Sequence, residues 1–137
     1  MIFRGIQIRF NCGSNEQYEN IGRFWDYMTS RYPSNRLKGI GHNWNDDALD
    51  YAIGSFDEPL DFDMEDIARR YPEAAFVELH LPDADWQIYH CRVEHLARLY
   101  AEIYKDGSLD FEIEAFEPDG SCTVSVWRTS AGERQMS

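Results

Sequence analysis

The sequence is poor in what marks most ready-made functional classes. Lysine and arginine number 13 against 25 acidic residues, a formal charge of −12. That balance excludes the broad basic surface needed to hold nucleic-acid phosphates. It argues equally against docking on an anionic membrane, and it concentrates cations around the protein. Cysteine is scarce: Cys12, Cys91 and Cys122 are odd in number and scattered. They suit reduced thiols in a cytoplasm better than a disulfide framework. No apolar run approaches the length of a membrane span, and the N-terminal Met-Ile-Phe-Arg-Gly-Ile lacks a signal-peptide pattern. The expectation is a soluble cytoplasmic protein with no nucleic-acid or membrane partner.

The usual chemical motifs are missing too. His90-Cys91 with His95 matches no zinc spacing. Asn45-Asp46-Asp47 and the acidic stretch 57–63 share composition with calcium loops but not the EF-hand spacing. Gly39-Ile-Gly41 is followed by no helix, so it is no phosphate loop. No Ser–His–Asp or Cys–His set can be assembled. Neither a metal, a cofactor nor a catalytic residue is expected.

Aromatic side chains are abundant instead. Four Trp, eight Tyr and eight Phe in 137 residues exceed what one small core requires, which points to a pocket or an interface. The length fits one domain with a real core. Phe3 to Phe10 alternates as a strand with Ile6, Ile8 and Phe10 on one face. Ser14 and Gln17 have capping-box spacing, so a helix is predicted from about Asn15. Its stripe is Tyr18, Ile21, Trp25, Met28 and Tyr32, and Pro33 ends it. Two strands follow, Leu37 to Trp44 and Tyr51 to Phe56.

After a less regular middle, with a short helix over Met64 to Tyr71 and a strand over Phe76 to Leu81, the pattern returns. Trp86 to Val93 reads as a strand. Glu94 to Lys105 reads as a helix with Leu96, Leu99, Tyr100, Ile103 and Tyr104 on one stripe, ended by Gly107. A hairpin closes the chain: Asp110 to Phe116, a Pro-Asp-Gly turn, then Ser121 to Trp127. The predicted fold is α+β, with two pseudo-symmetric strand–helix–strand–strand units forming antiparallel sheets around a central cleft. Residues 1–128 form the single domain; 129–137 are expected to be a flexible tail.

Alternation sorts the hairpin into two faces. Phe111, Ile113 and Ala115 make an apolar set for a covering helix, and Glu112, Glu114 and Phe116 make the other. Trp127 is assigned to the Glu114 face. Carboxylates among aromatic rings suit an organic cation. Trp44, Tyr51, Trp86 and Tyr89 are further candidate wall residues, although alternation cannot turn both Trp86 and Tyr89 inward. Trp25 is read as core within reach of the cleft, and Glu112 as a rim residue.

With these motifs in order, the chain resembles the GyrI-like family, the effector-binding domains of AraC-type and related transcription regulators, which also occur as free-standing proteins. The resemblance runs from about Phe3 to Trp127. It rests on Phe24-Trp25, Leu37-Lys-Gly-Ile40, Asp50-Tyr-Ala-Ile-Gly54, Trp86-Gln-Ile-Tyr-His90, the Leu96–Ile103 helix face and Ile113-Glu-Ala-Phe116. It implies a cytoplasmic module that captures amphipathic, multidrug-type organic cations, with Glu114 as counter-charge. Phe116 stands where the family usually has Tyr, so that hydroxyl is missing. No stretch is left for a helix-turn-helix, so a free-standing sensor is expected rather than direct transcription control. Two other functions stay open. Glu114 could serve as general base in a small hydrolase of reactive electrophiles. The acidic surface could instead mask a basic protein partner, as the gyrase-inhibitor relatives suggest. A homodimer or an unidentified protein partner is compatible with each.

Overall fold

In a computed structural model the chain is an α+β fold built on one antiparallel sheet. The described residues are 1–11, 16–45, 47–56, 60–107 and 109–128. The predicted capping box at Ser14 and the predicted tail lie outside them, as do Cys12 and Asp46.

Seven strands line up in the order β4-β1-β3-β2-β6-β7-β5. They are β1 (Ile2–Asn11), β2 (Lys38–His42), β3 (Ala48–Ser55), β4 (Ala75–His80), β5 (Gln87–Arg92), β6 (Phe111–Phe116) and β7 (Ser121–Trp127). Among the described residues three helices join them: α1 (Glu16–Thr29), α2 (Met64–Arg70) and α3 (Leu96–Tyr104). Strand β1 is followed by α1, β2 and β3, and β5 by α3, β6 and β7. In each group the last strand pairs between the other two. The groups meet where β2 pairs with β6, and β4 extends the far edge of the first.

Local chemistry sets the element ends. Asn43 has a positive φ of 55° and ends β2 two residues earlier than alternation predicts, leaving Trp44 in the connection to β3. The predicted strand at Trp86 starts one residue later, because the Trp86 indole folds back to donate to the Pro82 carbonyl at 2.8 Å. The second predicted helix divides into a 3₁₀ turn over Val93–His95 and then α3. Helix α2 is capped by Asp63, whose carboxylate accepts from the Asp66 N–H at 3.1 Å. Its acids lie in the first turn and its arginines in the last, matching the helix dipole.

Apolar side chains fill both sheet faces. On the helix side Ile6, Ile8, Leu49 and Ile53 meet Phe24 and Met28 of α1 and Ile67 of α2. Farther along, Val124 and Val126 meet Tyr100 and Ile103 of α3. The opposite face buries Phe3, Ile40, Ala52 and Leu81, flanked by Trp86, Phe111 and Ile113. Each fully buried aliphatic or aromatic side chain contributes about 1.5–3 kcal/mol of transfer free energy.

Register overturns one expectation. The hairpin loop sets Phe116 opposite Cys122, which puts Glu112 opposite Val126, Glu114 opposite Val124 and Phe111 opposite Trp127. Directly paired residues share a face, and a one-residue change of register exchanges the faces. The carboxylates therefore share the helix-covered face with Val124 and Val126. Trp127 lies on the opposite face beside Phe111, with ring centroids 6.3 Å apart.

Strands β1 and β3 approach closely where Gly5 pairs with Gly54. A Cβ on Gly54 would sit 2.1 Å from the Arg4 carbonyl oxygen, against backbone that cannot swing aside. Gly22, inside α1, has nothing within 4 Å of a Cβ position. Gly54→Ala is expected to lower unfolding free energy by about 2–3 kcal/mol. Gly22→Ala is expected to raise it by about 0.5–1 kcal/mol. Urea unfolding followed by circular dichroism measures both; equal effects would contradict the packing described.

Candidate functional site

Two rows of paired residues cross the sheet beneath the helices. One reads Ile6, Ile53, Gly39, Glu114, Val124 and Tyr89; the next reads Ile8, Tyr51, Gly41, Glu112, Val126 and Gln87. In both, a carboxylate stands beside a glycine of β2 and a valine of β7. The glycines make room. A Cβ at Gly39 would lie 2.1 Å from the Tyr51 hydroxyl oxygen and 2.9 Å from the Trp25 ring. One at Gly41 would lie 2.7 Å from Glu112 Oε1. The Gly-Ile-Gly stretch of β2 thus clears the floor on which the acids and rings lie, while Ile40 between them fills the opposite core.

Above that floor α1 and α3 stand apart and enclose a cavity of about 1050 Å³. Its wall on the α1 side includes Gln17, Ile21 and Trp25; Leu96, Tyr100 and Tyr104 line the α3 side. Glu112, Glu114 and Phe116 rise from β6. The Trp25 and Phe116 rings meet edge to face at 5.0 Å, and Tyr100 and Tyr104 stack at 5.7 Å.

A chain of hydrogen bonds fixes Glu114. The Trp25 indole N–H donates to the Tyr51 hydroxyl at 2.7 Å. Tyr51 donates to Glu114 Oε1, and Tyr100 donates to Oε2. Glu114 is only 5% exposed, and both of its oxygens are already engaged. Glu112 is equally buried but poorly satisfied. Its one hydrogen bond among the described residues is a long contact of 3.5 Å from the Tyr104 hydroxyl to Oε2.

These partners set the protonation. Burial pushes the Glu112 carboxyl well above the ordinary range, and the neighbouring charge of Glu114 pushes it further. Burial also raises Glu114, but the Tyr100 and Tyr51 hydroxyls stabilise its charged form and pull it back. The tyrosine hydroxyls thus favour the charge on Glu114, and burial with that charge favours the proton on Glu112. The same charge reaches outward. Tyr51 and Tyr100 are raised well above a normal phenol, by burial first and the carboxylates next. The Cys122 thiol is pushed up to about 12 by burial and then by Glu114.

Of the residues singled out from sequence, Glu114, Phe116, Trp44 and Tyr51 line the cavity. Three do not. Trp127 is on the far face, its indole bonded to the Ala84 carbonyl at 3.1 Å. Trp86 packs in the far-side core. Tyr89 shares the helix face but packs against the α3 core instead of the cavity wall. Glu112, read as a rim residue, is buried in the floor. Sequence reasoning missed Tyr100 and Tyr104 as hydroxyl donors because their i, i+4 spacing reads as a core stripe. It also missed Gly39 and Gly41, whose period-two spacing on a strand was the available signal for a cleared face. No protein-family model matches the chain, and no curated protein matches it in sequence.

The raised Glu112 carboxyl gives a signed pH prediction. A carboxyl raised on folding contributes stability that is fully present below its unfolded value, near pH 4.3, and lost as pH rises through the folded value. Glu112→Gln, which cannot ionise, should gain stability relative to the unsubstituted protein from about pH 5 upward. The gap should widen by at most about 1.4 kcal/mol per pH unit. Urea midpoints for both proteins between pH 4.5 and 8 test this; a gap that does not grow with pH would contradict the assignment.

Proposed function

We propose that this protein is a cytoplasmic small-molecule-binding module that captures amphipathic organic cations, with Glu114 as counter-charge. The observation that carries the reading is a carboxyl group that accepts two tyrosine hydroxyls at the floor of an aromatic cavity. The volume of about 1050 Å³ suits a drug-sized molecule. The chemistry supports the same class of ligand. A cation 4 Å from the carboxylate is attracted by about 4 kcal/mol at an effective dielectric near 20. Desolvation of both ions offsets much of that. Each ring at cation–π distance adds about 0.5–2 kcal/mol without demanding strict geometry. One fixed charge with permissive walls admits many lipophilic cations at roughly micromolar affinity.

The resemblance to GyrI-like effector-binding domains points the same way and rests on short motifs in order. The strand–helix–strand–strand connectivity, repeated on either side of the β2–β6 pairing, is what that resemblance leads one to expect. Cys91 and Cys122 form no disulfide with one another, which supports a cytoplasmic setting. None of the helices among the described residues is long and apolar enough to cross a membrane.

Titration with a lipophilic dye cation, followed by tryptophan fluorescence, tests the proposal because Trp25 and Trp44 line the cavity. Glu114→Gln is expected to weaken cation binding about tenfold or more and to leave a neutral dye of the same shape nearly unaffected. Equal binding of the cation by both proteins would overturn the counter-charge role.

A further inference from the structure

We propose that Glu112 is the ligand-directing carboxylate of the cavity, selecting cations that carry N–H donors, such as protonated amines and amidinium groups, over quaternary ammonium ions. This deepens the cation-binding reading and rests on it.

The two acids have different capacities left. Glu114 supplies charge, but each of its oxygens already accepts a tyrosine hydroxyl, so its directional bonding is largely used. Glu112 is the reverse. Among the described residues its Oε2 receives only the 3.5 Å contact from Tyr104, and its Oε1 receives none. That oxygen lies against Gly41, where a Cβ would come within 2.7 Å of it, so the side chain sits over strand β2 as part of the floor.

An acceptor oxygen that lines a cavity without a protein donor is open to a ligand that brings one. An N–H cation can donate to Glu112 while its charge is balanced by Glu114. Glu112 need not be ionised for this, because the carbonyl oxygen of a neutral carboxyl also accepts an N–H. Burial and the charge of Glu114 favour that neutral form. A quaternary ammonium ion of the same size meets the same aromatic walls and the same charge. It has no hydrogen to give, and it covers the Glu112 oxygens while leaving them unpaired. A site built to hydrogen-bond a donor discriminates against an analogue without one far more than an apolar wall discriminates by size.

The test uses a matched pair of probes, 2-naphthylmethylammonium and its N,N,N-trimethyl analogue, with calorimetric titration of the full chain at pH 7. The primary ammonium is expected to bind about tenfold more tightly than the quaternary ion. In Glu112→Met, which fills similar space and offers no oxygen acceptor, that preference should shrink to about threefold or less. The thermal midpoint of the variant reports whether it remains folded. If it does not, the preference of the unsubstituted protein decides alone. Equal affinity for the two probes overturns the role of Glu112 while leaving the cation-binding function standing. A preference that persists undiminished in folded Glu112→Met overturns it as well. Failure of both probes to bind, at concentrations that saturate the dye cation, also overturns it. Failure of the dye cation itself removes the underlying function.

Discussion

Two carboxylates two residues apart on one strand, both turned into the helix-covered side of a sheet, constrain everything packed around them. A strand advances about 3.4 Å per residue, so their backbones are only about 7 Å apart. Neither can be moved to solvent without turning Val124 and Val126 out of the core with them, because the register ties the four together. The structure answers with unequal treatment. Glu114 receives two hydroxyls that favour its charge; Glu112 receives little, and burial beside that charge favours its proton. The tyrosines that make this possible come from β3 and α3, so the charge sits where the two halves of the chain meet.

Glycine is the other half of that arrangement. At Gly39 and Gly41 the missing side chains let Tyr51, Trp25 and Glu112 lie against the β2 backbone. The residues between and beside them are not small: Ile40 fills the opposite core completely, and Leu37 packs beneath α1. Strand β2 is therefore filled on one face and stripped on the other. A uniformly packed strand there would occupy the space in which the acids and rings converge.

Much of the architecture was legible from alternation and helical spacing, because those periods follow directly from which face of each element is buried. Among the described residues, the seven strands and three helices fall within a few residues of their predicted positions. The strand ends went wrong where a single backbone conformation intervened, as at Asn43. The site was legible in part. Glu114 and Phe116 could be singled out, since charge and aromatic rings on one strand face are unusual. Trp127 could not be placed, because its face depends on how many residues the hairpin loop consumes, and turn composition does not fix that number. Tyr100 and Tyr104 were concealed by their own rings: a phenol on a helix stripe packs as an apolar residue until a carboxylate is found opposite its hydroxyl.

The meeting of β2 with β6 also has a consequence in time. Hairpins β2–β3 and β6–β7 close over short stretches of chain. By contrast, the bond from Tyr51 to Glu114 joins residues 63 positions apart. Bringing such distant segments together costs more chain entropy than closing either hairpin, and non-local pairings are the slow part of folding. A chain with both hairpins and all three helices in place but β2 and β6 still separate would have its secondary structure and no cavity floor. Ribosomal synthesis reaches Glu114 only after the first group of strands and its helix has emerged. The capacity to hold a charged ligand thus arises late, when the last third of the chain docks against the first.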